Sequence, residues 1–138
     1  MSPTAKSMFT RLFGYIRGAN SQKAAIEMTV PVLTWISGTG SKKSLEMSFY
    51  IPQKFQKNVP APTDPSVVIG NRKFCAYVHS FRSSLFSTKF ERNMEFLRHV
   101  LNQAGLRDNY SDAAYITAGY EGPSKWFNRY NEVMLIAV

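Results

Sequence analysis

The chain has 138 residues, 44% hydrophobic and 14% aromatic, which suits one domain (1–138) with a core of its own and excludes a disordered chain. No run of about 18 apolar residues occurs, so no membrane-spanning helix is expected. Seventeen Lys and Arg against nine Asp and Glu give +8, which suits an anionic partner; the cations are scattered rather than blocked, so a nucleic-acid-binding tail is not expected.

The first 26 residues contain no Asp or Glu, and Lys6, Arg11, Arg17 and Lys23 sit among Ser, Thr and apolar residues. An organelle transit peptide has that composition; a folded basic amphipathic helix is the preferred reading. Over residues 4–17, "TAKSMFTRLFGYIR", the residues Met8, Phe9, Leu12, Phe13 and Ile16 recur at helical spacing. Ser2-Pro3 would open this helix and Gly18 would stop it, while Gly14 inside it suggests close approach of another group.

Two strands follow, "MTVPVLTWI" and "LEMSFYI", joined by "SGTGSKKS" with hairpin composition. Pro31 in the first lacks an N–H donor, so it belongs at a bulge or bend. Leu45, Met47, Phe49 and Ile51 face one way in the second. After the proline-punctuated connection "PQKFQKNVPAPTDPS", "VVI" and "KFCAYVHSF" read as another strand pair around "GNR". Thr88 to Glu91 fits a capping box opening a helix with Phe90, Met94, Leu97 and Leu101 inward and its end at Gly105. "AAYITAGY" and "NEVMLIAV" close the chain as strands, joined by the aromatic loop "EGPSKWFNRYN".

Three stretches together resemble the SOUL family of haem-binding proteins. They are "F-x-x-L-F-x-Y-I-x-G-x-N" followed by "IEMTVPV"; then "SFYIPQKFQ…PAPTDPSV"; then "AYVHSF" with "TAGYEGP…RYNEV". The resemblance runs through the whole chain in order. It implies an α+β fold: a distorted antiparallel β-barrel of duplicated two-strand–helix–two-strand units with two flanking helices. Family members usually begin with two further strands, so this chain is expected to be N-terminally truncated, with unpaired edges through which copies could associate. Arg82-Ser83 stand where relatives often have Gly-Gly, and Met134 where Trp is frequent.

The resemblance also implies haem or another tetrapyrrole as ligand, a flat apolar ring with two carboxylates. Such a ligand needs apolar walls and rim cations. Lys6, Phe9, Phe13 and Arg17 form one strip along helix 1, where the family's site is placed. His79 stands where the family commonly has Arg, which suggests an outward position, and His99 falls on the polar side of helix 2. Neither is expected to ligate iron, so binding rests on apolar contact and carboxylate–cation pairing, with no protein metal ligand. Met28 and Met47 are expected in the core.

Catalysis is not expected. Cys75 and His79 lie about 13 Å apart on a regular strand at ~3.3 Å per residue, too far for a nucleophile and its base. Cys75, the one cysteine, is expected to be a structural thiol in a reducing, cytoplasmic setting. A reading of a different class makes helix 1 an interaction element for a partner protein's groove or an anionic membrane.

Overall fold

A computed structural model of the protein describes residues 4–84, 89–122 and 124–138. The elements run α1 (Ala5–Ile16), β1 (Val32–Ser37), β2 (Ser44–Ser48), α2 (Gln53–Gln56), β3 (Ala76–Ser83), α3 (Phe90–Gln103), β4 (Tyr110–Gly119) and β5 (Arg129–Ala137). The five strands form one antiparallel sheet in the order β2-β1-β4-β5-β3. The α+β class, the antiparallel sheet and the two long helices follow expectation. Among the described residues the sheet is not closed into a barrel: β2 pairs only with β1, and β3 only with β5. Among the described residues no helix is long and apolar enough to cross a membrane.

Side-chain alternation on β4 and β5 divides the core. Val133 and Leu135, fully buried, join Tyr110, Met94, Leu97 and Leu101 in the cluster between sheet and α3. Ile116, also fully buried, points to the other face, as does its neighbour Trp35. There Phe74 packs edge-on against Trp35 at 5.0 Å, and Arg72 lies over the same indole while pairing with Glu46 at 2.6 Å. A second cluster of Tyr15, Ile16, Ile26 and Val67, with Leu12, Phe49 and Phe55 against it, fixes α1 near β2.

Several local expectations are corrected. Met28–Pro31 does not extend β1: Val30-Pro31 is a cis peptide at a bend, and the ladder begins at Val32, opposite Gly119. Pro31 therefore stands just outside the sheet, where no donor is needed. Met28 is 37% exposed rather than core. "VVI" forms no strand, because Val67 is drawn into the α1 cluster while Val68 is 82% exposed, and β3 takes β5 as its partner instead. The connection before it contains one helical turn, α2. A Cβ on Gly14 would meet nothing within 4 Å, so no close approach explains that glycine. Ser2-Pro3 and Thr88 lie outside the described residues; α3 begins at Phe90 with Lys89 as its cap residue, and Glu91 pairs with Lys43 at 3.1 Å.

Candidate functional site

The sequence of α1 sets both its ends. Thr4 caps the first turn by accepting from the Ser7 N–H at 3.2 Å. Beyond Arg17, Gly18 at φ +120° turns the chain, as the sequence suggests. The exit is held by Asn20, 2% exposed. Its Nδ2 donates to the carbonyls of Tyr15 and Ala24, each at 2.9 Å. Its Oδ1 accepts from the backbone of Gln22 at 3.2 Å and Ala24 at 3.0 Å. The Tyr15 hydroxyl donates to the Pro60 carbonyl at 2.7 Å, and burial pushes that phenol up from its ordinary pKa. The C-terminal end of α1 is thus tied to other segments by directional bonds, which set the rotation of the helix about its axis.

That rotation buries Tyr15 and Ile16, half-buries Met8 and Leu12, and leaves Phe9 and Phe13 on the flank at 36% and 39% exposure. At ~100° per residue Lys6, Phe9, Phe13 and Arg17 fall within an arc of about 80° and span about 16 Å of the axis. The two phenyl rings lie nearly parallel, 14° apart with centroids at 5.8 Å. Phe49, from the segment after β2, backs Phe9 edge-on at 5.4 Å. The Arg17 guanidinium sits 5.6 Å from the Phe13 centroid. Lys6 and Arg17 are both exposed and neither forms an ion pair among the described residues. All four residues of the strip therefore lie on one side of α1: two stacked rings with a cation toward each end, Arg17 resting on the Phe13 ring and neither cation paired with a carboxylate among the described residues. Phe49 is the member of this surface that sequence reasoning missed, having set it only on one face of its strand with Leu45, Met47 and Ile51. Arg11 lies off the strip, near Asp64; Ser66 holds that carboxyl below its ordinary pKa, and Arg11 adds to the effect.

His79 lies on the edge strand β3, and His99 on α3, which packs against β3 and β5. β2, beside α1, and β3 are separated by four strand spacings, about 19 Å along the sheet at ~4.8 Å each. His79 is not outward as expected: with Tyr77 and Phe81 it faces α3 and is half-buried. Its Nε2 lies 3.1 Å from Asn93 Oδ1, and Asn93 Nδ2 donates to the Lys89 carbonyl at 2.9 Å. The amide is therefore oriented with its oxygen toward the ring, and Nε2 carries the proton. His99 is exposed on α3, as expected of a surface residue. Cys75 is an exposed free thiol just before β3 rather than a buried structural one; its backbone carbonyl accepts from Ala137 at 2.9 Å. Among the described residues no three His, Cys, Asp or Glu side chains group as metal ligands.

The sequence pattern of the SOUL heme-binding protein family matches residues 1–136, and the chain belongs to that family. It is 35% identical over 132 residues to heme-binding protein 2 of Homo sapiens, covering 93% of this chain and 63% of that protein. It is 33% identical over 130 residues to heme-binding protein 1 of Mus musculus, covering 91% of this chain and 67% of that protein. With heme-binding protein 1 of Xenopus laevis the identity is 29% over 143 residues, 96% of this chain and 70% of that one. The chain thus spans a little under two thirds of the length of the human relative.

Proposed function

We propose that this chain binds haem or a related tetrapyrrole on the outer flank of α1 and catalyses no reaction on it. The observation that carries the reading is the pair of stacked, part-exposed rings of Phe9 and Phe13, with Arg17 resting on Phe13 and Lys6 one turn before Phe9. The residues fit the group: the rings offer an apolar wall, and because the two carboxylates of haem leave one edge of the macrocycle, Lys6 or Arg17, at one end of the strip, pairs with them. Family membership and the names of the relatives point the same way.

The grip is on the ring rather than the metal. His79 stands on β3 and His99 on α3, neither on α1, and His79 already spends Nε2 on Asn93. No axial bond from either enters the reading, so metal-free and metal-substituted tetrapyrroles bind as haem does. Haem supplies the chromophore, and the protein supplies a surface that shields one face of it. The same reading takes the whole chain as one domain. A cytoplasmic setting rests on the single free thiol, and self-association rests on the open edges of β2 and β3.

The test is a haem titration read in the Soret band. A saturable change lost in Phe9→Ala/Phe13→Ala, and spectrally unaltered in His79→Ala and His99→Ala, supports the proposal. Absence of saturable binding, together with attachment to anionic vesicles controlled by Lys6 and Arg11, would instead favour a membrane-docking helix.

A further inference from the structure

Across the sheet from α1, the strand β3 and the helix α3 leave an open cleft of about 410 Å3 lined by His79, Phe81, Arg82, Lys89, Arg92, Asn93 and Phe96. We propose that this cleft is a second binding site, distinct from the tetrapyrrole surface, for an aromatic carboxylate of one to three fused rings.

The walls are aromatic. His79 lies between Phe81, nearly parallel at 21° and 6.1 Å, and Phe96, tilted at 47° and 4.9 Å. Phe81 is braced in turn by Phe90, edge-on at 5.6 Å. Phe96 is 53% exposed, an apolar ring turned toward open space although α3 has a buried face available at Met94 and Leu97. A stacked aromatic ligand is what covers such a surface favourably.

The charge is positive and uncompensated. Positions 89, 92, 93 and 96 share one side of α3, being three and four residues apart. The acidic neighbours on that helix are engaged elsewhere: Glu91 pairs with Lys43 and Glu95 with Arg98, each at 3.1 Å. Lys89 and Arg92 form no ion pair among the described residues. Arg82 adds a third positive charge to the lining, but its guanidinium is already held in place. Its guanidinium lies over the Tyr130 ring at 4.9 Å and donates to the Asn128 carbonyl at 3.3 Å.

Asn93 makes the cleft rigid, clamping His79 to the first turn of α3 through its two ends. The volume lies toward the small end of the range of ligand sites, about 300–1,000 Å3, which suits a compact ring system rather than a macrocycle. An anionic head between Lys89 and Arg92, with its rings against Phe81 and Phe96, uses every one of these features.

The experiment titrates 2-naphthoate into the isotope-labelled protein and follows the His79 ring and backbone amide resonances, with 2-naphthamide as the uncharged control. Saturable shifts at His79, Phe81, Asn93 and Phe96 are expected, with naphthoate preferred over naphthamide. Lys89→Gln/Arg92→Gln should weaken naphthoate roughly 3–10-fold and leave naphthamide unchanged. Phe96→Ala, at an exposed position that the fold does not depend on, should weaken both, and Phe9→Ala neither. The proposal is overturned if nothing saturates by about millimolar concentration, if charge makes no difference, or if the shifts gather on α1.

Discussion

Phe9→Ala is the substitution that separates ring contact from charge. Phe9 is 36% exposed, so of the ~200 Å2 an aromatic side chain presents, about 70 Å2 is open to a ligand. Covering that area at ~25 cal/mol per Å2 is worth about 1.8 kcal/mol, or about 20-fold in affinity. Lys6 is exposed at the rim, and an exposed charge pair contributes only about 0–1 kcal/mol, at most about fivefold. Phe9→Ala should therefore weaken tetrapyrrole binding by about an order of magnitude and Lys6→Ala by much less. The assay is an optical titration with haem and with metal-free protoporphyrin, alongside far-ultraviolet circular dichroism and a melting curve. The latter matter because Phe9 also packs on Phe49, and the loss of that contact should lower stability. A folded Phe9→Ala protein binding within twofold of the parent would refute the reasoning, as would a Lys6→Ala protein that binds more weakly than Phe9→Ala.

Asn20→Ala should destabilise the fold by about 2–3 kcal/mol, because four backbone groups lose one buried partner, and urea unfolding measures it. Asn20→Asp should be no milder, since a carboxylate there faces the carbonyls of Tyr15 and Ala24. Tyr120 is pushed up to about 12, first by burial and then by donating to Glu132 at 2.9 Å. In the unfolded chain this phenol loses its proton near pH 10. Its contribution is thus complete below pH 10 and is lost as pH rises toward 12, where the unfolded state binds fewer protons than the native one. Tyr120→Phe should flatten that part of the stability–pH curve, read by denaturant unfolding at a series of alkaline pH values.

The two long helices and the last two strands were legible because each obeys one period over many residues. Met94, Leu97 and Leu101 return to one face of α3, and Val133 and Leu135 alternate on β5. The α1 strip was legible for the same reason, since position on a helix decides proximity. "VVI" misled because three β-branched or apolar residues in a row say nothing about a partner. The Asp64–Ser66 turn directs Val67 into the α1 cluster instead. His79 was misplaced because the family's usual Arg at that position suggested an outward side chain, whereas alternation puts it on one face with Tyr77 and Phe81, the face that α3 covers. The cleft beside it needs side chains from both β3 and α3, and no local spacing reports that meeting. Asn20 stands in the quoted G-x-N motif, yet its four bonds emerge only once the chain has turned back on α1.

The central claim is that a tetrapyrrole lies against α1 and draws on neither histidine. Amide and side-chain resonances recorded during addition of metal-free protoporphyrin, whose ring current shifts nearby nuclei, test it most directly. The account predicts saturating shifts that are largest at Phe9, Phe13 and Phe49, extend to Lys6 and Arg17, and leave His79 and His99 in place. Shifts centred on His79 and Phe96 instead, or a Phe9 and Phe13 surface untouched at saturation, would contradict it.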